Sequence, residues 1–165
     1  MSEIENRTFD EIRVGDSVSL SRTLTKQDIE LFAVMSGDVN PIHVDEAFAR
    51  DDMFHKIIAH GMWGGTLIST LLGTELPGPG TIYRSQTLNF RNPVVLGDTV
   101  VVTVIVREKN AAKRDVILDC RVVNQTGKVV TAWPPLLLRP RRYSEPASSC
   151  RKSGLRSLGV VTGSS

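Results

Sequence analysis

The densest polar cluster in the chain is Ser36-Gly-Asp-Val-Asn-Pro-Ile-His-Val-Asp45. A carboxylate, Asp38, and an imidazole, His43, stand five residues apart across a turn that Pro41 stiffens. Such a pair can point at one common spot and hold one water, sharing its protons. General acid–base catalysis needs that geometry, and it contributes about 10²–10⁴-fold to a rate. The same residues also fit a plain Asx turn capping a helix, with His43 a hydrogen-bonded loop residue. A second cluster, Ala59-His-Gly-Met62, falls where a helical pattern begins. Free N–H groups at a helix N-terminus stabilise developing negative charge. An oxyanion donor at Gly61 would be worth about 10²–10³-fold; an ordinary helix start is the alternative.

The elements that would hold these clusters follow from periodicity. Segment 17–24 alternates Val18, Leu20 and Leu24 with polar neighbours, as a half-buried strand does. Thr25 and Asp28 stand at capping-box spacing, so Thr25 is the expected N-cap of a helix. Ile29, Phe32, Ala33 and Ser36 then share one face, and Gly37 ends the helix. Pro41 and two Asx residues predict an ordered turn, and a short helix fits 44–52. From Gly61 a helix runs through Trp63, Leu67, Ile68, Leu71 and Leu72. It is apolar nearly all round, which predicts burial. Gly64 and Gly65 lower its helix propensity and would permit close approach by a sheet or a ligand. Pro77-Gly-Pro-Gly80 is a sharp stop. Strand-like runs follow at 81–90, 98–108, 114–124 and 128–138, punctuated by Gly97-Asp98 and Thr126-Gly127 as hairpin connections would be. The run Val100–Val106 is apolar on both faces, so one face should meet the buried helix and the other a second cover, such as another subunit. Helices followed by strands imply α+β with an antiparallel sheet.

Length and charge bound the rest. The 165 residues fit one domain and suffice for a core without disulfides or metals. A net charge of +2 is too small to argue for nucleic acid. No window nears the ~20 apolar residues of a membrane span. The start, Met1 to Arg7, is polar and acidic without a signal-peptide core, which predicts a cytoplasmic protein. Residues 139–165 hold six basic residues against Glu145 alone, while 1–138 carry a net negative charge. That tail is rich in Ser, Gly, Pro and Arg without periodicity, so disorder is expected from about 139.

The string Phe32…Ser36-Gly-Asp-x-Asn-Pro-Ile-His43-x-Asp45, followed by Ala59-His-Gly-Met62, resembles the MaoC-like (R)-specific enoyl-CoA hydratases. Asn89-Phe-Arg-Asn-Pro-Val94…Gly97-Asp98 is similar to that family's sheet entry, and the resemblance spans about residues 6–131. Phrases such as Ala-His-Gly-Met-Trp-Gly-Gly and Leu-Pro-Gly-Pro-Gly-Thr-Ile-Tyr are also similar to the hydratase domain fused to phosphate acetyl- or butyryltransferases. The resemblance implies a hot-dog fold, a long central helix wrapped by a curved antiparallel sheet. It implies a homodimer or higher homo-oligomer with the site near the interface. It implies that Asp38 and His43 hold a water that adds to C3 of a trans-2-enoyl thioester, giving a (3R)-hydroxyacyl product. Gly61 N–H would then polarise the thioester carbonyl, and Asn40, Ser36, His60, Met62 and Trp63 would shape the substrate site. No metal or redox cofactor is implied; coenzyme A is the substrate's handle.

The chain departs from that family after Thr131. Ala132-Trp-Pro-Pro135 intervenes, and prolines remove ladder donors. The expectation is a last strand shortened or frayed from about 132, and a 1–138 truncation that folds as well as the full chain. His43, His55 and His60 match no standard zinc spacing. Cys120 reads as a small core residue and Cys150 as an exposed thiol. Arg84, Arg91 and Lys109 read as surface cations that could meet coenzyme A phosphates. Two other readings stay open: a hot-dog thioesterase or acyl-carrier dehydratase, and a non-catalytic acyl-thioester binding domain.

Overall fold

The computed structural model describes residues 6–140. Strand β1 (Ser17–Thr23) leads into α1 (Lys26–Ser36), α2 (Pro41–Val44), α3 (Glu46–Asp51) and the long α4 (Gly61–Thr74). Strands β2 (Ile82–Ser85), β3 (Asn89–Phe90), β4 (Thr99–Asn110), β5 (Asp115–Asn124) and β6 (Val129–Arg139) complete the chain. The strands form one antiparallel sheet in the order β1-β4-β5-β6-β2, and β3 also pairs with β6. α4 packs across β4 and β1, the central helix on a sheet of the hot-dog arrangement.

Local sequence explains the helices. Thr25 caps α1 through a complete capping box: its hydroxyl accepts from Asp28 N–H, and the Asp28 carboxylate accepts from Thr25 N–H at 2.9 Å. Arg22 donates to the other Asp28 oxygen at 2.7 Å, and these bonds outweigh desolvation to hold the carboxyl below its usual range. Gly37 closes α1 at φ 76°, the left-handed conformation glycine adopts without strain. The turn expected at 38–43 contains a helical turn of its own, α2, with Asn40 as N-cap and Pro41 at the first position. Asp45 then caps α3 by accepting from Ala47 and Phe48 N–H.

The apolar helix is not buried all round. Trp63, Gly64, Ile68, Leu71 and Leu72 face the core, whereas Met62, Ser69, Thr70 and Gly73 are exposed. The hydroxyls of Thr66, Thr70 and Thr74 donate back to carbonyls one turn earlier, satisfying the outer face without a partner.

Two expectations for the strands are corrected. The run 81–90 is two short strands, both on β6, because the chain leaves the sheet at 86–88. The last strand is not cut short at 132. It continues to Arg139, and Pro134 and Pro135 fall in the register shift between Cys120↔Trp133 and Leu118↔Leu136. A bulge is where missing N–H groups cost least. Leu138 beyond it is fully buried. Arg139 Nε donates to Asp115 Oδ1 at 2.9 Å, and Asp115 is 1% exposed. The ordered sheet thus reaches one residue past the boundary expected at 138; residues 141–165, Cys150 among them, lie outside the described residues. In the two-faced run of β4, Val100, Val102, Val104 and Val106 are buried as expected of the face that meets the helix, while Val101 and Ile105 on the other face are 45% and 42% exposed.

Candidate active site

The loop and short helix between α1 and α3 carry Asp38 and His43 to the start of α4. His43 Nδ1 lies 2.8 Å from the carbonyl of Ile58. A carbonyl can only accept, so Nδ1 carries a proton, and in the neutral ring Nε2 then presents the lone pair. His60, the N-cap residue of α4, is buried, and its Nε2 donates to the backbone carbonyl of Asp38 at 2.9 Å. The His60 ring packs against two others: Phe32 stacks on it at 4.7 Å and His43 lies tilted at 4.0 Å. Phe32 comes from α1, His43 from α2 and His60 from α4, so three elements meet at one stack.

The Asp38 carboxylate is held lightly. Its Oδ1 accepts from Asn40 N–H at 3.2 Å, and Oδ2 has no partner among the described residues. Asp38, His43 and His60 each offer one donor atom within 4.8 Å of the others. That set is of a type that can hold a metal ion. It can equally hold a water between a carboxylate and an imidazole lone pair. His55, the third histidine, is exposed and bonded to Arg50 O, apart from this group.

The start of α4 has no side-chain cap. The N–H groups of Gly61 and Met62 have no partner among the described residues. They therefore offer unused donors at the positive end of the helix dipole. Gly61 fits closely: a Cβ there would lie 3.1 Å from the outer edge of the half-exposed Phe90 ring, which the β3–β6 pairing brings over the helix start and which would have to shift by a few tenths of an ångström.

A cleft of about 310 Å³ opens beside His43 and His60; Asp38 stands behind them and does not line it. His43, His60 and Gly61 line it, with apolar walls from Ile58, Phe90 and Val130. Of the other residues expected at the site, Ser36 bonds Phe32 O and Asp38 N–H, Asn40 caps α2, Met62 faces outward and Trp63 packs in the core. None of these four lines the cleft. Arg91 does line it, whereas Arg84 pairs with Asp115 and Lys109 donates to Ile12 O. Gly64, where the sequence allowed close approach by a sheet or a ligand, lines the cleft, whereas sequence reasoning missed Thr131; a buried threonine in a strand carries no local signal of a ligand. Cys120 is a core thiol, as expected, and burial pushes it up to about 12.

Known proteins carry the same architecture. The pattern of the MaoC like domain matches residues 11–128. The chain is 44% identical to an (R)-specific enoyl-CoA hydratase of Rhodospirillum rubrum, over 81% of this chain and 92% of that one. It is 38% identical to a 3-hydroxybutyryl-CoA dehydratase of Methylorubrum extorquens, over 94% and 99%. Among solved structures, the unliganded R-hydratase PhaJ1 from Pseudomonas aeruginosa superposes with a TM-score of 0.81 at 42% identity, covering 86% of this chain and 90% of that one. The (R)-hydratase of Aeromonas caviae gives 0.76 at 35%, covering 79% and 98%. With its sheet order, its central helix and the family pattern over most of its length, the chain belongs to the MaoC-like family of hot-dog proteins.

Proposed function

We propose that this chain is an (R)-specific enoyl-CoA hydratase, a hydro-lyase that adds water across trans-2-enoyl-CoA and reverses by dehydration. One observation carries the reading: His43 is anchored by Nδ1 to Ile58 O, which leaves Nε2 unpaired among the described residues, and the ring clusters with Asp38 at the open N-terminus of α4. In this mechanism Asp38 and His43 hold a water. His43 Nε2 takes a proton as the oxygen attacks C3. Negative charge then develops on the thioester oxygen, where the Gly61 N–H stabilises it. C2 takes back a proton from the pair, leaving a (3R)-hydroxyacyl thioester. The reaction is balanced by water alone, so the reading calls for no metal or redox cofactor.

The substrate's handle is coenzyme A in this reading, and Arg91 is the permanently charged residue at the cleft. A second copy of the chain would cover Val101 and Ile105, whose exposure on a central strand favours a homodimer. No helix among the described residues is long and apolar enough to cross a membrane, and we assign the enzyme to the cytoplasm.

The test follows the conjugated enoyl-thioester absorbance of crotonyl-CoA with wild type and Asp38→Asn, with product chirality determined. Rapid loss, a 3R product and a fall of about 10²–10⁴-fold in the variant are expected. A folded wild type that releases free coenzyme A instead would make it a thioesterase. One that binds thioesters without changing them would make it a binding domain. Turnover confined to carrier-protein thioesters would replace coenzyme A as the handle.

A further inference from the structure

Gly64 lies three residues after Gly61 on α4, and both line the cleft. Glycine inside a helix is less stable than alanine, so a buried one needs a reason. Gly61 has one in the Phe90 ring. Gly64 has none within the protein: a Cβ there would lie 3.7 Å from Thr131 Oγ1 and 3.9 Å from Val122 Cγ2, which is ordinary contact. Its φ is not in the left-handed region either. A methyl group at 64 would stand between Thr131, which lines the cleft, and Val122, with room to spare. Thr131, beside it, is buried, lines the same cleft, and its hydroxyl has no hydrogen-bond partner among the described residues.

We propose that Gly64 is the floor of the acyl subsite and leaves room for enoyl chains longer than crotonyl. The inference rests on the thioester reading above. A rise of about 1.5 Å per residue places Gly64 about 4.5 Å further along α4 than Gly61. In this proposal the acyl chain runs from the thioester oxygen at the Gly61 N–H, past the double bond beside His43, along α4 toward Gly64. The cleft's walls from Ile58, Val94, Val130 and Phe90 are apolar and suit a straight hydrocarbon.

The test compares wild type, Gly64→Ala and Gly73→Ala. Gly73 is on the same helix, exposed, with nothing within 4 Å of an added Cβ, so it controls for helix propensity. Hydration of crotonyl-, hexenoyl- and octenoyl-CoA is measured with melting temperature. Binding of butyryl-, hexanoyl- and octanoyl-CoA, which cannot turn over, is measured by calorimetry. Wild type and Gly73→Ala should accept all three lengths with the same profile. In Gly64→Ala the octenoyl-to-crotonyl ratio of kcat/KM should fall about tenfold or more, the octanoyl-to-butyryl affinity ratio should fall likewise, and the melting temperature should not drop. An equal fall at every length, a lowered melting temperature, or a wild type confined to crotonyl would overturn the proposal. A wild type that binds the saturated series with the expected sensitivity to Gly64→Ala, yet hydrates nothing, would overturn the hydratase reading and leave the subsite standing. A wild type that binds none of them would overturn both.

Discussion

Replacing His43 by Asn separates what holds the residue from what it does. The carboxamide nitrogen of asparagine stands where Nδ1 does, so it can keep the 2.8 Å bond to Ile58 O. The lone pair of Nε2 has no counterpart. The variant also loses the ring contact with His60 at 4.0 Å, worth about 0.5–1.5 kcal/mol. With the hydrogen bond retained, the net cost in stability should be about 1 kcal/mol, a few degrees in melting temperature. Removing a general base should lower kcat by about 10²–10⁴-fold, which at about 1.36 kcal/mol per decade is about 3–5 kcal/mol. Activity therefore falls several times further than stability. The assay is crotonyl-CoA absorbance at saturating substrate beside a thermal melt of the same sample. A variant that keeps more than about a tenth of wild-type kcat would refute His43 as the base. A variant whose melt collapses would refute the separation of anchoring from chemistry.

Three other outcomes follow from the fold. Thr25→Ala removes one half of the α1 capping box and should cost about 1 kcal/mol, read as a lower urea midpoint. Burial raises the Cys120 thiol from 9.0 to about 12, so the unfolded chain ionises first and stability falls as pH rises above 9.0. Wild type should lose more stability than Cys120→Ala between pH 8 and pH 10, and equal losses would count against a buried, protonated thiol. Arg139→Met leaves buried Asp115 with only Arg84 at 3.8 Å. That should cost about 1–3 kcal/mol, and a chain ending at 138 should melt below one ending at 140; equal melting would show the Arg139 pair to be idle.

Features set by neighbouring residues are legible in the amino-acid order itself. The Thr25–Asp28 box, the Gly37 stop and the start of α4 at Gly61 depend on residues within one turn of each other. Asp38 and His43 are legible because Pro41 holds them on one short loop. What sequence does not show are bonds between distant segments. His60 reaches Asp38 O across 22 residues, and nothing in Ala-His-Gly announces it. Asp115 finds Arg84 and Arg139 only once β5, β6 and β2 are in order. The prolines at 134 and 135 argue locally for a strand end. The burial of Leu138 and the Arg139 pair beyond the bulge prevail over that local rule. Gly64 and Thr131 become cleft residues only when β6 is laid beside α4.

His60 grips the loop through the main-chain oxygen of residue 38, and the carboxylate itself receives one long bond from Asn40 N–H. Any L-amino acid at 38 supplies the same oxygen. A change of side chain at this position would therefore leave the grip of His60 on the loop in place. A gene duplicate could lose its chemistry here in a single step and persist as a folded scaffold, free to acquire a different reaction in the same cleft.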